Sequence, residues 1–127
     1  MIVSPHPDDE IISCGGLLLK AENLNWDVFV LYMCTGKGRQ LVTGHTSEHI
    51  RLKELKKVSR RLSFKYKVML KGIELRMDTL AQRDIINVIE DEIEQFKPDI
   101  LVIPPSSSYD QDHREIYKCM IVTGKPF

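Results

Sequence analysis

Apolar residues fall along the chain in two kinds of pattern. Short, nearly continuous apolar runs predict strands that are covered on both faces of a parallel sheet; they lie at Met1–Val3, Val28–Cys34, Tyr66–Leu70 and Asp99–Pro104. Longer stretches in which apolar residues recur every three or four positions predict amphipathic helices; they lie at Glu10–Asn23, Ser47–Leu62, Thr79–Phe96 and Glu115–Val122. Strands and helices therefore alternate from one end of the chain to the other.

This alternation predicts an α/β fold with a doubly wound, Rossmann-like and mostly parallel sheet that carries helices on both faces. We expect residues 1–127 to form a single domain. The usual strand order places the first and fourth strands side by side, where the winding direction reverses. Open sheets bind ligands at the carboxyl ends of the strands at that point, so the segments that follow these two strands are expected to meet.

The segment after the first strand is the richest in candidate chemistry. Between Ser4 and Glu10 the chain carries one histidine and three acids, with a proline on each side of the histidine. The prolines restrict the backbone and so preorganise the loop. Acids at a helix start are also explained by capping and the helix dipole, but that explanation covers neither the histidine nor the prolines. We therefore interpret His6 and Asp9 as metal ligands.

Composition narrows the class of protein. The 127 residues include 43% hydrophobic and 28% charged residues, as in an ordinary soluble globular protein. Lys and Arg number 18, as do Asp and Glu, so bulk charge does not point to nucleic acid or an anionic membrane. The three scattered cysteines lack metal-site spacing and predict free thiols in a reducing compartment. With no apolar run long enough for a membrane span and no signal segment, we expect a cytoplasmic protein.

Two motifs resemble those of a known family. Pro5-His6-Pro7-Asp8-Asp9-Glu10 resembles the signature of the PIG-L/LmbE-like family, which comprises zinc-dependent deacetylases acting on N-acetylglucosamine conjugates. Asp112-His113, within Ser108–Arg114, is similar to the second motif of that family, which ends in Asp-His after a later strand. The order of segments fits the family across essentially the whole chain, although both ends are expected to be incomplete relative to it.

The resemblance implies a catalytic site. His6, Asp9 and His113 would hold Zn²⁺, or another divalent metal, in the three-ligand set typical of catalytic zinc. Asp8 would act as general base for the water that attacks the amide. The implied substrate is a small-molecule amino-sugar conjugate that loses its N-acetyl group. The sequence leaves the attached group, the native metal and the oligomeric state open.

Three further residues have open roles. Asp110 stands where family members commonly have a histidine that polarises the carbonyl or protonates the amine, and a carboxylate cannot polarise a carbonyl unless it is protonated. Either another residue supplies the donor, or Asp110 has a different role, or turnover is impaired. Asp112 either orients an imidazole or caps the following helix. Arg51 either faces the pocket or forms a surface ion pair with Glu54.

Two alternative functions come from other classes. The first is a non-catalytic or decayed relative that binds metal or sugar without turnover, which Asp110 would favour. The second is a nucleotide-binding domain that uses Gly36-Lys37-Gly38, within a loop predicted at Thr35–Arg39. That loop lacks the third glycine and the context of a dinucleotide fingerprint, so the sequence favours a flexible loop instead.

Overall fold

Three parallel strands form the centre of the molecule. The computed structural model describes residues 1–35, 38–40, 44–70 and 76–124. In chain order its elements are β1 (Ile2–Ser4), α1 (Asp9–Asn23), β2 (Phe29–Cys34), β3 (Gly38–Gln40), β4 (Gly44–Thr46), α2 (Glu48–Arg61), β5 (Lys65–Leu70), a 3₁₀ turn (Met77–Thr79), α3 (Gln82–Phe96) and α4 (Gln111–Thr123). The sheet has the order β1-β2-β5, with both pairs parallel.

The burial of the central strand, β2, explains why its sequence is apolar throughout. Residues Val30 to Cys34 of β2 are fully buried, because β1 and β5 flank the strand and helices cover it from both sides. β5 is an edge strand among the described residues, and Lys65 and Lys67 are exposed along it. Charged side chains on an edge discourage pairing with other chains. The predicted central and edge positions of these two strands are both confirmed.

The two faces of the sheet have separate cores. On one face, Ile2, Val30 and Tyr32 pack with Leu18 of α1 and Leu55 of α2. On the other face, the neighbouring strand positions pack with α3 and α4; this cluster includes Val3, Leu31, Met33, Ile85, Ile89 and Ile116. Successive strand residues point to opposite faces, so one strand serves both cores. The predicted doubly wound α/β fold, with helices on both faces, is confirmed.

The predicted fourth strand is correct in position but wrong in extent. Instead of a strand over Asp99–Pro104, the structure has a single parallel bridge between Val102 and Ile2. Two hydrogen bonds of 2.9 Å accompany it, from Val3 N to the Val102 carbonyl and from Val102 N to the Met1 carbonyl. β1 offers only three residues for pairing, and Pro104 has no N–H group to extend the ladder. The segment nevertheless runs beside β1, as the winding rule predicted.

Two helix starts also differ from the prediction. α3 begins at Gln82 rather than Thr79, because the preceding residues form the separate 3₁₀ turn. α4 begins at Gln111 rather than Glu115, so the predicted loop over Ser106–Asp112 is shorter than expected. Asp110 causes the early start, since its Oδ1 accepts hydrogen bonds from the backbone N–H groups of Asp112 (2.8 Å) and His113 (3.4 Å).

A short antiparallel hairpin follows the central strand. β3 pairs with β4, with Arg39 opposite His45, whereas the sequence predicted a loop at Thr35–Arg39. Gly36 and Lys37, on which the nucleotide-binding alternative depends, lie outside the described residues. Within the parts of the chain that are described, no helix is both long and apolar enough to cross a bilayer.

Candidate metal centre

Two segments that lie far apart in sequence meet at the carboxyl edge of the sheet. His6 follows β1, and His113 lies in the first turn of α4, after the segment that runs beside β1. The ring centroids of the two histidines are 5.4 Å apart, with the planes tilted by 41°. The topology therefore brings together the two motifs that the sequence singled out.

His6, Asp9 and His113 form what we call the outer cluster. The Asp9 Oδ2 atom lies 3.0 Å from His113 Nε2 and 3.4 Å from His6 Nδ1. Two ligand atoms about 2.0 Å from a tetrahedral ion lie about 3.3 Å apart, so these separations suit a shared ion. The side chains are 15–22% exposed, which leaves one side open. Two imidazoles and a carboxylate are also the donor types of catalytic zinc sites, and the donor set therefore fits a divalent cation.

The other nitrogen of His6 faces Asp112. His6 Nε2 lies 3.0 Å from Asp112 Oδ2, while Asp112 Oδ1 accepts a 3.0 Å hydrogen bond from Met77 N. Asp112 is fully buried, and so its carboxylate holds the imidazole in one orientation with Nδ1 toward the outer cluster. The capping alternative for Asp112 does not hold, since the residue that caps α4 is Asp110.

The charge state of His6 follows from these contacts. Burial alone would lower the pKa of His6, but the hydrogen bonds to Asp112 and Asp9 outweigh it and raise that pKa to about 12. Without a metal, both ring nitrogens of His6 therefore carry protons at neutral pH. An ion held at the outer cluster must displace the proton on Nδ1, because a metal needs the lone pair of that nitrogen.

Asp8 stands beside the outer cluster in an unusual backbone conformation. Its φ of 127° is rare for any residue other than glycine, and its N–H donates a 2.9 Å hydrogen bond to Glu10 Oε2. Its side chain makes no capping hydrogen bond to α1 and is 51% exposed. Burial and the charge of Asp9 raise the pKa of Asp8, against opposing effects of Arg51 and the two histidines. The Asp8 carboxylate thus faces the rim of the site.

We expect glycine at position 8 to stabilise the fold relative to alanine. An unfavourable φ costs about 1–3 kcal/mol, whereas the extra chain entropy of glycine costs about 0.5–1 kcal/mol. Asp8→Gly should therefore exceed Asp8→Ala in free energy of unfolding by about 1 kcal/mol, because alanine keeps the strain. Urea denaturation of the two metal-free variants measures the difference. Equal stabilities, or a more stable alanine variant, would show that position 8 is not strained.

Arg51 of α2 combines the two roles that the sequence left open, a position facing the pocket and an ion pair with Glu54. Its Nη1 atom lies 3.8 Å from Asp8 Oδ2 and 3.9 Å from Glu54 Oε2. The Arg51 side chain is only 19% exposed, and its Nε is buried without a hydrogen-bond partner among the described residues. Arg51 therefore faces the rim of the candidate site and also forms the helix ion pair.

Two residues next to the site were not singled out from the sequence. Glu10 is buried and supports the backbone of Asp8, although the sequence suggested only an acidic helix start. Cys34 is buried at the end of β2, with its Sγ 3.4 Å from the Pro5 carbonyl oxygen. The sequence signal for Cys34 is its place at the carboxyl end of β2, the strand beside β1.

Two cavities that border the described residues lie at different edges of the sheet. The larger one, of about 650 Å³, is lined by Trp26, Phe96 and Pro98 among others, near the amino ends of the strands and away from the histidines. A small cavity of about 50 Å³ borders Asp9 and His113. Asp9 and His113 therefore border a cavity at the carboxyl edge of the sheet.

Comparisons with known proteins place these features in context. The sequence model of the PIG-L family, described as GlcNAc-PI de-N-acetylase, matches residues 1–123. No curated protein matches the chain by sequence. Among solved structures, N,N'-diacetylchitobiose deacetylase from Pyrococcus horikoshii is similar with a TM-score of 0.79 and 23% identity, over 96% of this chain and 47% of that one.

Two further solved structures share the fold. The A40926 pseudoaglycone deacetylase Dbv21 has a TM-score of 0.79 and 19% identity, over 97% of this chain and 57% of that one. The 4-carboxy-2-hydroxymuconate hydratase GalB from Pseudomonas putida has a TM-score of 0.80 and 17% identity, over 96% of this chain and 53% of that one. The chain spans about half the length of these structures. At such identities the similarity shows a common fold, which hosts more than one reaction.

Proposed function

The chain belongs to the PIG-L family, as its motifs led us to expect, and from that premise we propose that it is a metal-dependent amidohydrolase. It removes the N-acetyl group from a conjugate of the N-acetylglucosamine type. The observation that carries the proposal is the outer cluster, in which His6, Asp9 and His113 converge, with the half-exposed carboxylate of Asp8 at the rim beside Arg51. The deacetylases with the same fold support the choice of reaction.

In this proposal the outer cluster holds Zn²⁺ or another divalent cation. When bound there, such an ion would polarise the amide carbonyl and lower the pKa of water toward neutrality. Asp8 accepts a proton from the attacking water and returns it to the leaving amine. Burial and the charge of Asp9 raise the pKa of Asp8, which makes its carboxylate a stronger base than that of an ordinary aspartate.

Neighbouring residues hold these groups in place. Asp112 positions His6 through the bond to Nε2. Asp110 caps α4 and thereby orients both Asp112 and His113, so it does not act as the histidine that the family commonly has at this place. Arg51 is the cation at the rim, and we assign to it the binding of the substrate carbonyl or of a nearby hydroxyl. In this proposal Arg51 supplies the donor that the family histidine would otherwise provide.

Acetate release tests the proposal directly. Purified protein is loaded with Zn²⁺ and incubated with N,N'-diacetylchitobiose and with N-acetylglucosaminyl-phosphatidylinositol, while bound metal is measured in parallel. We expect one ion per chain and acetate release that a chelator stops. Failure to bind any divalent metal would overturn the proposal as a whole.

A second candidate function is a binding relative without turnover. The observation in its favour is that Asp110 occupies the place of a family histidine and serves as a helix cap. Stoichiometric metal with no acetate release from either conjugate would favour this candidate. The nucleotide-binding alternative would require nucleotide-dependent thermal stabilisation that persists in His6→Ala.

The positioning role of Asp112 gives a further prediction. Asp112→Asn is expected to weaken divalent metal binding by about 10–100-fold, the usual effect of losing a carboxylate that orients a metal-bound histidine. Titration with Zn²⁺ against a chromophoric chelator measures the change. The matched control is Asp91→Asn, the same substitution at an exposed position of α3. Equal affinities in the two variants would contradict the role of Asp112.

A further inference from the structure

A second group of metal-ligating side chains lies behind His6. Cys34, Asp112 and His6 each offer a ligand atom, and these atoms lie within 4.8 Å of one another. We call this group the inner cluster. Cys34 and Asp112 are both fully buried, and the two clusters share only His6. They use opposite edges of its imidazole, because Nδ1 faces Asp9 whereas Nε2 faces Asp112.

We propose that the inner cluster is an alternative metal position that takes thiophilic divalent cations such as Cd²⁺ and, in doing so, withdraws His6 from the outer cluster. The inner cluster shares His6 with the outer cluster on which the proposed function rests, but metal binding at the inner cluster does not depend on turnover. Thiolate, imidazole and carboxylate are all ligands of zinc-like ions, and the thiolate adds a preference for soft cations that the outer cluster lacks.

Two of the three ligand atoms already lie at a separation that suits a shared ion. His6 Nε2 and Asp112 Oδ2 are 3.0 Å apart, close to the about 3.3 Å expected between an N and an O ligand of one tetrahedral ion. Asp112 Oδ1 is held by Met77 N, so Oδ2 is the carboxylate oxygen directed at the cluster. Cys34 Sγ donates to the Pro5 carbonyl oxygen, and that thiol proton is the one lost when the sulfur binds an ion.

The shared imidazole makes the two positions compete. A neutral imidazole has one lone pair for a metal and one N–H. When Nε2 binds an inner ion it releases its own proton to solvent. The other proton stays on Nδ1 and points at Asp9, so the outer cluster loses one of its three ligands. Inner occupancy also breaks the hydrogen bond by which Asp112 orients His6. A thiophilic cation should therefore inhibit an enzyme that a harder cation activates.

Cadmium titration of the metal-free full chain tests the proposal. Cd²⁺ bound by a thiolate produces an ultraviolet charge-transfer band, and we expect that band to develop fully with one equivalent. It should be absent from Cys34→Ala, while Cys14→Ala and Cys119→Ala keep it. Cys14 lies half-buried on α1 and Cys119 is buried on α4, so these variants control for nonspecific thiol binding. A band that survives in Cys34→Ala would overturn the proposal.

Two additional measurements distinguish this proposal from a folding defect of the variant and from failure of the proposed function. If Cys34→Ala does not fold, Cys34→Ser serves instead, because its hydroxyl can keep the bond to the Pro5 carbonyl oxygen. In the active protein, Cd²⁺ should inhibit the Zn²⁺-loaded form. Cys34→Ser should weaken that inhibition by more than about tenfold, because losing a direct ligand costs at least as much as the roughly 10–100-fold effect of losing a residue that only orients one. A cadmium–thiolate band without acetate release in any variant would refute the proposed function alone and leave the inner cluster standing.

Discussion

Replacement of His113 by alanine is expected to abolish metal binding at the outer cluster and to reduce acetate release to background. Two ligands remain after the substitution, fewer than the three that catalytic zinc sites use. Metal ions contribute several kcal/mol to transition-state stabilisation, and each 1.4 kcal/mol is a factor of ten in rate, so the loss should be about a thousandfold or more. Metal content after dialysis and initial rates of acetate release measure both effects.

His113 is a cleaner choice than His6 for this experiment. Removal of His6 would also take a hydrogen-bond partner from the buried Asp112 carboxylate, and a buried polar group that loses its partner costs about 1–3 kcal/mol. His113 instead contacts Asp9, whose carboxylate is 22% exposed and can be solvated after the substitution. The matched control is His49→Ala, since His49 is exposed on α2. Stoichiometric metal and normal turnover in His113→Ala would contradict the outer cluster as the metal centre.

The sequence predicted the fold well because burial leaves a regular pattern. The uninterrupted apolar run of β2 reflects cover on both faces, and the winding rule then placed the segment around Val102 next to β1. The extent of that segment could not be predicted in the same way, because ladder length depends on how many residues the partner strand offers. The number of residues available for pairing is a property of β1, so the sequence of residues 99–104 does not predict it.

The sequence predicted which two segments meet at the site, but the separate roles of Asp110 and Asp112 and the backbone conformation of Asp8 depend on tertiary contacts. Asp110 and Asp112 are both acids near the start of α4, and either could cap it by local rules. Tertiary partners decide that Asp112 turns inward and that Asp110 caps, since His6, 106 residues away, and the backbone N–H of Met77 both hold the Asp112 carboxylate. The strained backbone of Asp8 is likewise supported by the buried carboxylate of Glu10, which no local pattern distinguishes from an ordinary acid in the first turn of a helix.

Replacement of Asp8 by asparagine is expected to lower kcat by about 10²–10⁴-fold, the usual contribution of a general acid or base, while bound metal stays at one ion per chain. Asparagine keeps the size of the side chain and tolerates positive φ better than most residues, so the fold should persist, but its amide cannot accept the proton. Single-turnover rates and metal content are measured together.

The matched control is Glu54→Gln, which like Asp8→Asn removes an anionic partner of Arg51 yet should leave kcat unchanged. Because the two variants alter the charge beside Arg51 alike, an equal loss in both would mean that Asp8 acts by holding that guanidinium, and an unchanged kcat in Asp8→Asn would remove it from the reaction.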